Sequence, residues 1–358
     1  MTRPTPMDPL VPTRHASVLR LGAIAREAMA AARGGRVLAA VTRAIYLESD
    51  RGELTWLTTA EAPMHGRGLS LQGPLPLPAV GATYVTSADG LTLNEVRFSL
   101  TWREARVWRP PSVRVEPSLT IAELSRYLPG VHAFLEGLPA PRGLAVLLRS
   151  IMARPQEPVF DFEGNDEARG LRRGTSAIAA IAAAGRTGNM AGVLASAEDL
   201  IGLGEGLTPS GDDFIGGMLF GAATLHATYR LPGRIPPEAL HHFLIRAEAR
   251  TTRLSSTLLR DYAAGQGPEA LHHYVRALLA GRPVAEIRRL ASEVIRIGAS
   301  TGWDSLTGLW MALGMYTAAA VPSMAERPAG PRRTPPRNME PWISNRRSRR
   351  PTTKQHAA

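Results

Sequence analysis

The chain has 358 residues, enough for two domains of ordinary size, and a hydrophobic fraction of 44% that is typical of globular proteins. It contains no cysteine, which excludes thiol catalysis, disulfides and cysteine-ligated metal centres. The net charge is +11, but the segment 322–358 holds nine basic and two acidic residues and so supplies most of it. A basic tail of this kind is usually solvated, and the remaining chain shows no basic-aromatic platform, so we expect no nucleic-acid partner for it.

The first third of the chain combines one predicted helix with short β-type runs. Residues 1–15 are proline-rich and are predicted to be a flexible leader, and residues 16–32 are predicted to be a helix that ends at the following glycines. Between residues 36 and 109, turn signals at 49–52 and 88–90 separate short apolar runs. This pattern predicts a small antiparallel sheet or a partial barrel.

From residue 119 to 320, apolar residues recur at helical spacing, and nine helices are predicted. The most apolar stretch, 306–321, falls short of the ~20 residues that span a bilayer, so we expect no membrane association and a cytoplasmic location. The tail 322–358 is rich in proline and arginine, and we expect it to be disordered. The predicted class is α+β, with a leader at 1–15, a β-rich N-terminal domain at 16–115, a helical domain at 116–321 and the tail at 322–358.

The most unusual segment is residues 202–213, with the sequence GLGEGLTPSGDD, directly before a helical run. Glycine permits positive φ and lets a ligand approach the backbone closely. Thr208 or Ser210 can cap the helix, whose first N–H groups form an anion site. Asp212 and Asp213 point about 100° apart on a helix, so one can face a ligand while the other serves the cap. The spacing matches neither a Walker A loop nor a dinucleotide-binding fingerprint.

A weaker copy of this segment follows about ninety residues later. Residues 210–219 and 301–310 share a hydroxyl residue, glycine, any residue, aspartate, and then a helix with small residues at four-residue spacing. We expect the two helices to pack together or on a shared neighbour, so that their first turns line one pocket. Because aspartate in a first helical turn is stabilised by ~0.3–1 kcal/mol through the helix dipole, a purely structural role for Asp304 is about equally well supported.

The glycine-rich segment resembles the hallmark of the DUF2877 family, which includes the AllH-type subunit of oxamate carbamoyltransferase. Two other segments agree with the resemblance: residues 251–255, with the pattern Thr-Thr-x-x-Ser, and residues 298–304, which resemble the late Ser-Ser-Gly-x-Asp turn of the family. The similarity covers roughly residues 15–320. One departure is Glu205, which stands where the family commonly has proline and adds a negative charge to the turn.

The resemblance implies a role in nitrogen salvage from purine and allantoin breakdown. The reaction is reversible carbamoyl transfer, in which oxalurate and phosphate give oxamate and carbamoyl phosphate. It also implies a small anionic substrate and a hetero-oligomer with other carbamoyltransferase subunits, so this chain is expected to be an enzyme subunit rather than a complete enzyme. The candidate catalytic residues are Asp212, Asp213 and Asp304, and the candidate substrate-binding residues are Gly204, Gly206, Thr208, Ser210, Gly211, Arg253, Ser255, Thr301 and Gly302.

Several alternatives stay open from the sequence. The chain can instead be a non-catalytic partner or scaffold, with the glycine-rich helices as an assembly surface. No cofactor is indicated, although Asp212 or Asp213 can hold Mg²⁺ through water. The adjacent histidine pairs at 241–242 and 272–273 lack the spacing of metal ligands, so no protein-bound metal is predicted. Arg246, Arg250 and Arg253 share a helical face and offer guanidinium groups to an anion, but a solvated stripe has the same pattern.

Overall fold

The computed structural model describes residues 13–135, 138–139, 142–148, 151, 166–231 and 233–320. The α+β class is confirmed, because all strands end by Trp108 and nearly all helices follow Ile121. The described residues between 13 and 320 belong to one compact unit, so the strands and the helices are packed together. The predictions for residues 1–12 and for the tail 322–358 lie outside the described residues.

Nine strands form one sheet that closes on itself. In the order β5-β4-β3-β2-β6-β7-β8-β1, eight strands are paired, and β1 also pairs with β5 to complete a barrel. The ninth strand adds to β1, and the pairs β1–β8, β1–β9 and β4–β5 are parallel. The strands are β1 (Arg14–Gly22), β2 (Gly34–Val41), β3 (Ala44–Ser49), β4 (Leu54–Thr59), β5 (Gly68–Leu71), β6 (Thr83–Thr86), β7 (Gly90–Leu93), β8 (Phe98–Thr101) and β9 (Arg106–Trp108).

The helix predicted for residues 16–32 is wrong in its first half. Residues up to Gly22 form strand β1, and helix α1 covers only Ala23–Ala31. Val18 and Leu21 are buried in the barrel core, where β1 pairs with strands that lie some fifty to eighty residues later in the sequence. Those long-range pairings override the local helical spacing. Both predicted hairpin turns are confirmed, since β3 and β4 flank residues 50–53 and β6 and β7 flank residues 87–89.

The rest of the described chain is helical. Its α-helices are α2 (Ile121–Leu135), α3 (Asp166–Arg186), α4 (Met190–Ala197), α5 (Ser210–Tyr229), α6 (Pro237–Arg250), α7 (Arg253–Ala263), α8 (Glu269–Leu279), α9 (Val284–Val294) and α10 (Thr301–Ala320), with 3₁₀ turns at Gly143–Leu147 and Glu198–Leu200. The helix predicted over 237–263 is broken at Thr252, whose hydroxyl accepts the Ser255 N–H and caps α7. Within these ranges, no helix combines the length and apolarity needed to cross a membrane.

Helices α5 and α10 form the centre of the helical core and run in the same direction. A Cβ at Gly217 would stand 2.6 Å from the carbonyl carbon of Ser305, and a Cβ at Gly308 would stand 2.8 Å from the amide nitrogen of Met218. Only glycine permits this approach of one helix backbone to the other. The expectation that the two small-residue helices pack together is therefore confirmed.

Charged side chains join the barrel to the helices. Arg20 on β1 makes a bidentate ion pair with Glu269 at the start of α8. Arg67, just before β5, donates to Asp261 on α7 through Nε at 2.6 Å and Nη2 at 2.9 Å. The Arg67 and Asp261 side chains are only 11% and 8% exposed, so each compensates a charge that burial would otherwise disfavour.

Candidate functional site

The first turns of α5 and α10 meet in space. The hydroxyls of Thr208 and Thr301 lie 3.0 Å apart, and those of Ser210 and Ser300 lie 3.4 Å apart. These contacts join residues that are about ninety positions apart in the sequence. The two repeated turns thus line one place, as the repeat predicts.

The capping role expected of Thr208 or Ser210 is wrong. Pro209 is the N-cap of α5 without any side-chain hydrogen bond, and its carbonyl oxygen accepts the N–H groups of Asp212 and Asp213. The two hydroxyls reach across to the α10 turn instead. Because they join the two helix starts, they fix the separation of the carboxyl groups behind them.

Asp212 has a positioning role. Its Oδ1 accepts the Gly202 N–H at 2.9 Å, and its Oδ2 accepts the hydroxyls of Thr251 and of Ser255, the latter at 2.8 Å. Burial raises the pKa of the Asp212 carboxyl, and these hydrogen bonds oppose that effect. The carboxyl group ties the base of the glycine-rich turn to the start of α7 and has little capacity left for a ligand.

Asp213 is the carboxyl group best placed to act on a ligand. Its side chain is buried, and Oδ2 has no hydrogen-bond partner among the residues that the structure describes. Burial, and then the negative charge of Asp304, raise the pKa of Asp213 well above its ordinary value, against hydrogen bonds from the Thr301 and Thr208 hydroxyls. Asp213 therefore keeps a proton at a pH where a free carboxyl group has lost it.

Asp304 is fully buried and closes the site from the α10 side. Its Oδ1 accepts the Leu144 N–H at 2.7 Å, from the first residues of the 3₁₀ turn Gly143–Leu147. Gly143 has φ +60°, and a Cβ there would stand 2.5 Å from both Asp304 carboxyl oxygens and 2.8 Å from Ser210 Oγ. The sequence analysis did not place the segment that begins at Gly143 at the site. Only its tertiary contact with Asp304 distinguishes Gly143 from the other glycines.

The glycine-rich loop presents its backbone to solvent. Gly202, Gly204 and Gly206 have φ of +72°, +112° and +94°, and residues 204–207 are exposed. No acceptor within the described ranges engages the amide N–H groups of residues 204–207. Successive free amides around positive-φ glycines are suited to anions. The exposed side chain of Glu205 lies in the same loop.

Two of the predicted substrate-binding glycines serve packing. A Cβ at Gly211 would stand 2.9 Å from the carbonyl carbon of Leu200, and one at Gly302 would stand 2.8 Å from that of Val294. Both glycines are buried against the backbone of a preceding segment. They let the helices begin where they do, and they offer a ligand no surface of their own.

Arg253 is directed toward the barrel rather than toward the paired acids. Its Nη2 donates to the Gly52 carbonyl oxygen in the β3–β4 turn at 2.8 Å, and its guanidinium also lies within 4 Å of Glu48 and Glu248. Arg246 pairs with Glu198 on the protein surface. The guanidinium groups of Arg253 and Arg246 therefore make contacts at the protein surface. Ser255, in contrast, is buried at the site and donates its hydroxyl to Asp212.

Two tyrosines complete the surroundings of Asp213 and were missed by sequence reasoning. The Tyr262 ring packs against Gly216, and its hydroxyl lies 3.4 Å from Ser305 Oγ. Burial and then the charge of Asp213 raise the pKa of Tyr46, and the same two causes, in the same order, raise that of Tyr262. Tyr46 belongs to β3 and packs against α7, so the barrel contributes to the site. No sequence signal links Tyr46 to the turn, because the link depends on how the barrel docks.

Cavities and clusters of metal-ligating side chains give no further support for a ligand site at the two turns. Two cavities of the structure, of about 390 and 260 Å³, have no turn residue in their walls. In the described part of the chain, no three side chains of histidine, cysteine, aspartate or glutamate stand close enough to hold a metal ion. The sequence analysis considered Mg²⁺ at Asp212 or Asp213. At this site, Oδ2 of Asp213 is the main oxygen available to such an ion.

Comparison with known proteins agrees with the motif. No curated protein and no solved structure gives a significant match to this chain. One protein family matches, described as oxamate carbamoyltransferase subunit AllH, over residues 200–313. That segment contains the glycine-rich turn, α5 to α9 and the first two-thirds of α10. The resemblance inferred from residues 202–213 is therefore confirmed, and over residues 200–313 the chain is similar to the AllH family.

Proposed function

We propose that the chain is a subunit of an oxamate carbamoyltransferase-like enzyme, and that carbamoyl transfer takes place at the joined starts of α5 and α10. The observation that carries the proposal is the buried Asp213 carboxyl group, whose Oδ2 lacks a partner in the described residues, at the meeting point of the two family turns. The family name supports a subunit role, and the substrate and the partner subunits are part of the proposal.

The chemistry of the substrates fits a site with two kinds of group. Oxalurate, oxamate and carbamoyl phosphate each carry an amide-type NH₂ and an anionic carboxylate or phosphate. The protonated Asp213 carboxyl group, whose Oδ2 is without a partner in the described residues, donates to the reacting amide group, while the exposed amides of residues 204–207 bind the anionic end. Asp304 connects the α10 turn to the 3₁₀ turn Gly143–Leu147 by accepting the Leu144 N–H.

A proton must move during the transfer. When the phosphate oxygen attacks the carbamoyl carbon of oxalurate, the bond from that carbon to the oxamate nitrogen breaks, and the nitrogen requires a proton. Asp213 retains its proton because of burial and the nearby Asp304 charge, so it acts as the acid and recovers a proton from the attacking hydrogen phosphate. Net proton release is zero.

The test is calorimetric titration of oxamate, oxalurate and carbamoyl phosphate into the purified chain, alone and with its partner subunits. We expect Asp213→Asn to abolish transfer while retaining part of the binding, and Ser210→Ala to weaken binding. Asp89→Asn is the matched control, since it removes a carboxylate that pairs with the exposed Arg103 on the barrel. Absence of binding in every combination of subunits would contradict the proposal.

The same experiment separates the scaffold alternative. If variants of the turn lose the partner subunits but bind the ligands normally, the turn is an assembly surface. The glycines of α5 and α10 do not favour that alternative, because they are occupied by contacts within the chain. A cytoplasmic location and the role in purine breakdown stay predictions.

A further inference from the structure

A second candidate site lies between the barrel and the helices, with no residue in common with the turns. A cavity of about 390 Å³ is lined by β1, by the β2–β3 turn, by the loop after β4, by the start of α8 and by the end of α9 and the residues after it. This volume is within the range of small-molecule sites in proteins, about 300–1,000 Å³.

The floor of this cavity is fixed by hydrogen bonds that cross between the two parts of the fold. Glu269 is held by the bidentate ion pair with Arg20 and also accepts the Met64 N–H at 3.2 Å. The Glu269 N–H in turn donates to the Met64 carbonyl oxygen at 2.7 Å. The charges of Arg20 and Glu269 therefore neutralise one another, and neither is available to a ligand.

The other arginine side chains of the cavity are not neutralised by an ion pair within the described residues. Arg43 and Arg296 both line it, and no hydrogen bond or ion pair within the described ranges engages either guanidinium group. His273 adds a third nitrogen-bearing side chain. A surface guanidinium group is often solvated, but two that are unpaired among the described residues, in the wall of one cavity and beside a floor fixed by hydrogen bonds, offer a site for an anion.

The acidic residues of the cavity only partly offset these charges. Glu293 pairs with Arg289, which lies outside the cavity wall. Glu61 is fully exposed, and hydrogen bonds with Thr59 and with its own backbone, together with the charge of Arg43, lower its pKa. With Glu293 paired elsewhere, the local balance is one uncompensated positive charge, which favours an anionic ligand.

We infer that this cavity binds a small anion, with its carboxylate or phosphate between Arg43 and Arg296. The inference is independent of the proposed function, because none of the residues of the two turns takes part. A ligand held by both arginines bridges the β2–β3 turn of the barrel and the residues after α9, so it also stabilises the junction between the barrel and the helical part.

The experiment is titration of the full chain with inorganic phosphate and, separately, with oxalate, followed by NMR or calorimetry at low salt. We expect saturable binding of at least one probe, weakened about tenfold or more by Arg296→Gln or Arg43→Gln, as is typical of losing a charge-assisted hydrogen bond. Whichever probe binds more tightly distinguishes a phosphate site from a carboxylate site.

Arg103→Gln is the matched control, because it removes the same charge from an exposed ion pair on the barrel. The thermal midpoint of the cavity variants should stay at the parent value, since neither arginine makes a contact that folding requires. Equal binding by Arg296→Gln and Arg103→Gln, or no saturable binding of either probe, overturns the inference. Asp213→Asn should leave this binding unchanged, which separates it from failure of the proposed function.

Discussion

The close packing of α5 on α10 makes Gly217 the most informative position for mutation. In Gly217→Ala the new Cβ would stand 2.6 Å from the Ser305 carbonyl carbon and 2.8 Å from its Cα, with the carbonyl oxygen closer still. All three atoms belong to the backbone, so no side chain can rotate away. The carbonyl oxygen sets the required shift, and helix α10 must retreat by about 1.5 Å to restore an ordinary van der Waals separation of 3.4 Å.

The size of the effect follows from two opposing contributions. Overpacking against a backbone costs about 3 kcal/mol at the upper end of the measured range. Replacing glycine by alanine inside a helix returns about 1 kcal/mol of backbone entropy. We therefore expect a net loss of about 2 kcal/mol in the free energy of unfolding, and a thermal midpoint lower by roughly 4–8 °C.

The assay is thermal and urea unfolding of Gly217→Ala beside Gly130→Ala. Gly130 lies in α2 with nothing within 4 Å of the position of its Cβ, so alanine there should stabilise the chain by up to about 1 kcal/mol. The Gly217 variant should also weaken ligand binding at the turns, because the retreat of α10 separates Thr208 from Thr301. If the two variants were equally stable, the inferred packing of α5 on α10 would be refuted.

Three further results are expected. Asp261→Asn leaves the buried Arg67 with only the exposed Glu53 as an ionic partner and should cost about 3 kcal/mol, measured by urea unfolding, whereas replacing both Asp261 and Arg67 by apolar residues should cost much less. Burial first, and neighbouring cations second, lower the pKa of His272 to about 4. Since the pKa of an unfolded histidine is near 6.5, the contribution of neutral His272 to folding stability is complete above pH 6.5. The free energy of unfolding should fall by about 3 kcal/mol as the pH drops to 4, and His272→Gln should reduce that loss. Asp213 has the opposite sign, because burial and then the charge of Asp304 raise its pKa, so the fold is fully stable at low pH and loses part of that stability as the pH rises. Asp213→Asn should therefore raise the thermal midpoint near pH 7, and an unchanged midpoint would contradict a raised pKa for Asp213.

The main spatial prediction, that the first turns of α5 and α10 meet, came from the sequence repeat. The two copies of the repeat predict the same local structure at the start of both helices. Each turn places an aspartate in the first turn of a helix with small residues on one face, and such helices have few alternatives to packing on each other. The joined hydroxyls of Thr208 and Thr301 follow from this arrangement. The class of the fold was equally accessible, because strand and helix patterns occupy different parts of the chain.

Other features depend on contacts that no local pattern reports. Strand β1 has helical spacing in its sequence, and only pairing with β5 and β8 makes it a strand. Arg253 resembles a ligand-binding residue by its place in the family motif, yet the β3–β4 turn occupies its guanidinium group. Gly143 and Tyr46 reach the site from segments far away in the sequence, so their involvement follows from docking alone.

The ion pairs of Arg20 and Arg67 have a consequence for how the protein can be divided. In each pair the cation lies on the barrel and the anion on a helix. Separating the barrel from the helices would therefore leave a half-buried or buried charge without its partner on each of the two parts. We expect the chain to melt in one cooperative transition instead of two. A fragment limited to the family-matched residues 200–313 would expose Asp261 and Glu269 without their cations, and would be a poor substitute for the intact chain.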